Sequence, residues 1–552
     1  MRPLAFVALI SVAAVSAGAE PKRTIVPTLL WDAWPQKRFV PTAAPCLRHA
    51  ELLERLAALQ ARHPRDIALE EIGRSVEGRG VQQLTVGRGP RKVLLWSQMH
   101  GDEPSATPAL LDAVDFLLAS RTDPDAAAIL ERLTLIVVPM LNPDGAERYQ
   151  RRNAQAIDIN RDALNLATPE GRLLKAVRDR HQPELGFNLH DQNRRTSVGD
   201  TRVLASVALL AVSGDVAGTV TPGRLRAKRA CTAIAAAVEP FFPGAVSRYD
   251  EDWSPRAFGD NITAWGTPVV LIESGGLAPG RPVTDLTRMN FVALLTALAG
   301  LAADDLAAHD PAVYDLMTRN ETDVYADVVL RGGSVWQPPA PEPYRADVAW
   351  NVARSDQEWA GCAAARPGSR VAEVGDARFF GAGESVDAAG AVVVPALSVS
   401  VDAGARDWLT PDALDAMSAL GVGTVRWHVP PADRSASEDL ARAFQAAGRA
   451  TLAVVPADEA RLPMAPVGPP LPAAGPTLGA AIDALVGTGW RAGDRSAFLT
   501  RSLAAGPASP LTLDARASLL LLRGRAPAAL DPDALRLERV FIDGRAPSAG
   551  RP

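Results

Sequence analysis

The chain is poor in the residues that build disulfide scaffolds and aromatic surfaces. It has three cysteines in 552 residues, and Phe, Trp and Tyr together make 5%. Cys46, Cys231 and Cys362 lie far apart and match no zinc-binding spacing. They allow at most one disulfide, which excludes a disulfide-dense scaffold. A surplus of charge of one sign is also missing. The formal net charge is −5, so no nucleic-acid partner is expected. No apolar run reads as a membrane span, and no fixed-period repeat points to a solenoid.

The bulk of the chain is ordinary for a globular protein, with 47% hydrophobic and 22% charged residues. Its length calls for two or more domains. Arg2, the apolar stretch Leu4 to Val15 and Ala17-Gly18-Ala19 together read as an export signal cleaved after Ala19. The expectation is a periplasmic or secreted protein, with residues 1–19 removed and residues 20–44 an N-terminal extension.

Hydrophobic patterning divides the next 260 or so residues into helices and strands. Leu52, Leu53, Leu56 and Leu59 fall at helical spacing within Leu47 to Ala61. Ile67 to Ile72 and Val81 to Val86 read as a hairpin across a Gly-rich turn. Apolar strands are expected at Val93 to Ser97, Leu133 to Pro139, Leu185 to Leu189 and Pro268 to Ile272. Helices are expected from Pro104, from Thr168-Pro169-Glu170 and over Thr284 to Leu301. This alternation predicts one α/β domain over 45–305, with a mixed parallel and antiparallel sheet flanked by helices. His100, His190 and Glu273 fall at or just past strand C-terminal ends, where open α/β sheets place their sites.

Those three positions suggest metal chemistry. A hydrolytic zinc site needs three protein ligands and an open position for water. His100 and Glu103 offer two ligands from one tight turn, and His190 offers a third from a distant strand end. This gives one Zn2+ per chain. A lone His-x-x-Glu is a weak signal; the strand-end placement of His190 and Glu273 gives it weight. Glu273 is the candidate proton acceptor. His49, His63, His181, His309 and His428 lack such context and read as surface or packing residues. A second cluster comes after the turn Asn142-Pro143-Asp144-Gly145, namely Arg151-Arg152-Asn153 and Asp158-Ile159-Asn160-Arg161. Arginine forks there suit a carboxylate or a developing oxyanion. Away from a metal, the same residues would read as a solvated basic loop.

The stretch Ile72 to Arg79, the His100–Glu103 motif, Asn142 to Gly145, Asp158 to Arg161, His190 and Glu273 together resemble the zinc carboxypeptidases related to carboxypeptidase A. The resemblance covers about residues 45 to 305. It implies zinc on His100, Glu103 and His190, with Glu273 activating water and protonating the leaving amine. It implies that Asn160 and Arg161 hold the substrate's terminal carboxylate. Arg151 would polarise the scissile carbonyl, with Arg152 as the alternative, and Asp158 would orient His100. Tyr249 is the nearest counterpart of the family's mobile tyrosine. Two departures stand out: the Gly145–Asp158 segment is short, and Asp191 replaces a serine of the digestive members. The implied function is a metallocarboxypeptidase acting on a peptide or a peptidoglycan stem peptide. His-Gly-Asp-Glu-Pro also suits the alternative, a zinc deacylase of small N-acyl amino acids. A non-enzymatic envelope-binding role fits the intact ligand set poorly.

Residues 306–552 read as a β-rich accessory domain. Asp327 to Gly333, Ala346 to Ala349, Val386 to Pro395 and Val540 to Arg545 loosely resemble the β domain of amidohydrolases. No His-x-His comes after Pro395, so a non-catalytic module is expected, either a degenerate form of that domain or an unrelated β-rich accessory domain.

Overall fold

The computed structural model describes residues 25–41, 46–249, 252–322, 324–335, 344–351 and 370–395. It also describes the strand segments 398–401, 424–429, 451–456, 465–467, 511–514, 519–523 and 536–543. The expected export signal, residues 1–19, lies outside the described residues.

Ten helices can be named in chain order among the described residues. They are α1 (Pro27–Lys37), α2 (His49–Arg62), α3 (Ala106–Ala119), α4 (Pro124–Arg132), α5 (Pro143–Arg148), α6 (Pro169–His181), α7 (Pro222–Val238), α8 (Phe258–Ala264), α9 (Thr284–Ala302) and α10 (Pro311–Leu316). The first strands are β1 (Ile67–Arg74), β2 (Gly80–Gly87), β3 (Arg91–Ser97), β4 (Leu133–Val138), β5 (Leu185–Asp191), β6 (Ser197–Val198), β7 (Val207–Ala211), β8 (Val246–Arg248), β9 (Val269–Ser274) and β10 (Asn320–Glu321).

Eight of these strands form one sheet in the order β1-β2-β4-β3-β5-β9-β7-β8. The hairpin β1–β2 is antiparallel, as is β2 against β4. The centre is parallel, with β3 between β4 and β5, and β5 beside β9. Strand β7 reverses against β9. The expected mixed sheet is therefore the one observed. Its central strands are continuously apolar because helices cover both faces. Alternation divides them: Val93 and Leu95 join the layer of α3, α7 and α9, while Leu94 and Trp96 join the layer of α6 and α8. Each fully buried leucine in these layers is worth about 1.5–3 kcal/mol.

Helix α3 begins two residues later than the proline signal suggests, because Pro104 and Ser105 complete the preceding turn, with Thr107 N donating to Pro104 O. Helix α9 is long and apolar enough to cross a membrane, contrary to the expectation that no segment qualifies. It is almost wholly buried, packed against α3 and α7 as the central helix of this face.

The packed body extends on both sides of 45–305. Trp31 of α1 stacks on Phe241 at 4.3 Å between centroids. Trp34 Nε1 and Val40 N donate to the two oxygens of buried Asp112 at 2.9 and 2.8 Å. Downstream, Ala211 N donates to the hydroxyl of buried Tyr314 at 3.1 Å, and β10 pairs antiparallel with β6. Cys46 is disulfide-bonded, while Cys231 lies buried in α7.

The C-terminal half is β-rich. Its strands are β11 (Tyr325–Val335), β12 (Tyr344–Asn351), β13 (Arg370–Gly375), β14 (Gly381–Asp387), β15 (Ala391–Pro395), β16 (Ser398–Val401), β17 (Thr424–Val429), β18 (Thr451–Pro456), β19 (Ala465–Val467), β20 (Leu511–Asp514), β21 (Leu519–Arg523) and β22 (Arg536–Asp543). One sheet runs β13-β12-β11-β15-β21-β22-β19, with β14 also on β11, and a second runs β18-β17-β16-β20. The chain thus leaves the first of these sheets after β15 and returns to complete it with β19, β21 and β22. Val328, Leu330, Val348, Trp350 and Val393 form a small buried core there.

Candidate metal centre

Strand β3 delivers its last residues into a turn built to hold two ligands. Gln98 takes the left-handed backbone conformation at φ 46°, and its side chain donates to Gly101 O and accepts from Thr107 Oγ1. Gly101 is required by close approach, since a Cβ there would lie 2.0 Å from the Gly145 carbonyl carbon. Asn142 fastens the same contact from the other side: its Oδ1 accepts Gly145 N at 2.9 Å, and its Nδ2 donates to Met99 O at 3.3 Å. Asp144, fully buried, takes Ser75 Oγ at 2.8 Å and Arg79 Nη1 at 2.7 Å. The motifs Ile72–Arg79 and Asn142–Gly145 thus hold each other beneath the ligand turn.

The turn meets β5 at His190. His100 Nδ1 lies 2.8 Å from Glu103 Oε1 and 3.2 Å from His190 Nδ1. His190 Nδ1 lies 2.6 Å from Glu103 Oε2. The three residues are buried, and their donor atoms all lie within 4.8 Å of one another. Asp191 pins this arrangement. Its Oδ2 accepts Ser105 N and Oγ at 3.1 and 2.9 Å, and its own N–H donates to Glu103 Oε2 at 3.3 Å.

The donor set fits zinc. Asp158 Oδ1 stands 3.0 Å from His100 Nε2, so that nitrogen keeps a proton in either charge state and Nδ1 is left as the atom that would give its lone pair to a bound cation. Two imidazole nitrogens and a carboxylate, buried and facing one point, call for a cation. Burial pushes His100 down, but Glu103 and Asp158 overcome it and raise the imidazole to about 9. The cluster draws in positive charge from Arg151 as well. Its Nη1 lies 3.1 Å from both His100 Nδ1 and Glu103 Oε1, and its Nε donates to Asp158 Oδ2 at 3.0 Å.

A cavity of about 670 Å³ opens over the triad. Glu273, at the end of β9 and paired in register with His190, lines it. Burial raises the Glu273 carboxyl well above the usual range, and the charges of Glu103 and Asp191 add to this. Asn160 and Arg161 line the cavity from the short turn that Asp158 caps. Asn160 Oδ1 accepts Phe258 N at 2.9 Å, which ties the turn to α8. Tyr249 also lines the cavity, and the charge of Glu273 together with burial pushes its hydroxyl up. Arg152 is not brought to this cavity. It is exposed and donates to Ala156 O at 3.0 Å, so of the two arginines left open by the sequence only Arg151 faces the triad.

The other lining residues have no role assigned by a sequence motif. Leu210, Val212 and Leu271 form an apolar wall, Asn188 and Asp260 add polar groups to the lining, and Arg319 to Thr322 reach the rim. Asn188 and Leu271 lie on β5 and β9, Leu210 on β7 and Asp260 on α8, none of them within a recognisable motif.

Residues 52–181 match the family described as zinc carboxypeptidase. The resemblance to the carboxypeptidase A-like family is thereby shown for this segment, and zinc is the metal of that family. Among similar curated proteins is probable carboxypeptidase 2 of Trichophyton verrucosum, 32% identical over 114 residues. The match covers 20% of this chain and 22% of that protein. Mouse carboxypeptidase M is 32% identical over 111 residues, covering 17% of this chain and 25% of that one. The chain thus spans about a quarter or less of these relatives' length. A metallo-carboxypeptidase of Burkholderia cenocepacia is 21% identical, covering 46% of this chain and 69% of that one, with a TM-score of 0.38.

Proposed function

We propose that the protein is a zinc-dependent metallocarboxypeptidase that releases a C-terminal residue from a peptide. The observation that carries this reading is one cavity lined by the His100–Glu103–His190 triad, by Glu273 and by the Asn160–Arg161 pair.

Zinc on His100, Glu103 and His190 would polarise the scissile carbonyl and make water acidic enough to attack at neutral pH. Glu273 accepts the proton from that water and passes it to the leaving amine. Positive charge bound at the triad offsets the repulsion of Glu103, which favours the anionic form of Glu273 that a base requires. Arg151 presents a cationic fork to the oxygen on which negative charge develops. Asn160 and Arg161 hold the terminal carboxylate, so only the last peptide bond reaches the triad. The side chain of the departing residue fits the part of the cavity lined by Leu210, Val212 and Leu271.

The export signal read from Arg2, Leu4–Val15 and Ala17–Ala19 supports a periplasmic or extracellular setting for this activity, where peptidoglycan stem peptides are one source of substrate. The test is a panel of peptides, peptidoglycan fragments and N-acyl amino acids assayed with zinc-loaded protein. Release of single C-terminal residues from peptides is expected. Hydrolysis confined to N-acyl amino acids would replace this reading with that of a deacylase.

A further inference from the structure

We propose that residues 319–322 form an outer subsite that binds the substrate residues preceding the scissile bond, held in place by the docked C-terminal module. This rests on the carboxypeptidase reading of the same cavity.

The cavity has two unlike ends. One is lined by the buried side chains of Leu210, Val212 and Leu271. The other is an exposed rim carrying Arg319, Glu321 and Thr322. A carboxypeptidase substrate has nothing beyond its last residue, so the buried end takes that residue and the remaining chain leaves across the rim. The rim therefore meets the acyl side of the substrate.

The rim segment is fastened on two sides. Asn320 and Glu321 pair antiparallel with Val198 and Ser197. Gly199 N donates to Arg319 O at 2.8 Å. Asn320 Nδ2 donates to Gln192 Oε1 at 2.9 Å, two residues past the ligand His190. On the opposite side Arg248 N donates to Thr318 O at 2.8 Å, beside the cavity-lining Tyr249. A segment held this way keeps its position when a peptide lies against it, so little ordering cost falls on binding.

The C-terminal module braces the same wall. Asp327 on β11 takes Arg195 Nε and Nη2 on one oxygen, at 3.0 and 2.6 Å. Arg202 Nη2 donates to Arg378 O. Gly381 packs so closely that a Cβ there would lie 2.7 Å from Arg202 O. The loop 192–204, whose Gln192, Asn193 and Thr196 line the cavity, is thus clamped between the triad and the second module. The rim carries Arg319, Glu321 and Asp252, a mixed set that suits the polar backbone of an extended peptide better than a ligand of one charge.

The test is steady-state kinetics of the zinc-loaded full chain on N-blocked di-, tri- and tetrapeptides that share their last two residues. The expected kcat/KM rises with length by about tenfold, equivalent to about 1.4 kcal/mol, chiefly through KM. Glu321→Ala alters an exposed side chain, and Asn320→Ala removes the Gln192 contact; both should flatten the rise. Asp327→Arg should flatten it too, and Arg195→Asp in the same chain should restore it, which a merely destabilised module would not do. If the wild-type chain cleaves peptides without a length effect, or the variants retain it, the subsite is overturned and the carboxypeptidase reading stands. If it cleaves no peptide of the series, that reading falls and the subsite falls with it.

Discussion

Asp158 holds His100 from behind, its Oδ1 3.0 Å from the ring nitrogen that points away from the other two ligands. The same carboxylate takes Arg151 Nε on its second oxygen. One side chain therefore fixes both the tautomer of a ligand and the position of the cation beside it. Asp158→Ala should weaken zinc binding by about 10–100-fold, read by competition with a chelator. Unchanged affinity would remove Asp158 from that orienting role.

Glu273 is placed to move a proton and lies outside the ligand triad. Glu273→Gln keeps the shape of the side chain and removes its basicity. Zinc content should stay near one per chain, while kcat falls on the order of a hundredfold or more. Metal analysis and turnover on one preparation decide this. Near wild-type turnover would mean another group accepts the proton.

Asp260 gives the cavity a titratable wall. Burial raises its carboxyl to about 6, against the hydrogen bond it accepts from Ser254 N. Below that pH the group is neutral, and above it the group is anionic. The preference for a C-terminal lysine over leucine, as a ratio of kcat/KM, should therefore rise as pH passes from about 5 to about 7. Asp260→Asn should flatten the profile. A ratio independent of pH in the wild type would show that Asp260 does not face the departing side chain.

Much of this site was legible because its residues sit where the chain must do something unusual. His100, His190 and Glu273 interrupt apolar strands at their ends, and an imidazole or carboxylate there has no packing role to fill. The turn Asn142-Pro143-Asp144-Gly145 was legible as a turn, but its close approach to Gly101 emerges only in the fold. The hidden parts act through contacts between distant segments. Nothing in Arg319 to Thr322 marks them as cavity residues until β10 pairs with β6. The choice between Arg151 and Arg152 rests on side-chain direction, which their adjacency in sequence cannot supply. Helix α9 passes as a membrane span by length and composition, and only the layers around it reveal a core helix.

Asp112 ties the N-terminal segment to α3 through Trp34 and Val40. Asp112→Ala leaves both donors without this acceptor, at about 1–3 kcal/mol each if they stay buried; a lower first unfolding midpoint in denaturant should result. Burial raises the Asp112 carboxyl to about 7. The folded protein thus holds a proton there that the unfolded chain releases near pH ~4. This group's stabilising contribution is full below that pH and is lost as pH rises through about 7. Asp112→Asn should remove that slope, and an identical slope in the variant would contradict the assignment.

The most direct measurement compares one peptide as its free acid and as its C-terminal amide, incubated with zinc-loaded protein and monitored by mass spectrometry. With Asn160 and Arg161 reading a terminal carboxylate, the free acid should lose its last residue, and the amide should be cleaved at least tenfold more slowly, about 1.4 kcal/mol. Equal cleavage of the two, or cleavage at an internal bond, would contradict a carboxypeptidase.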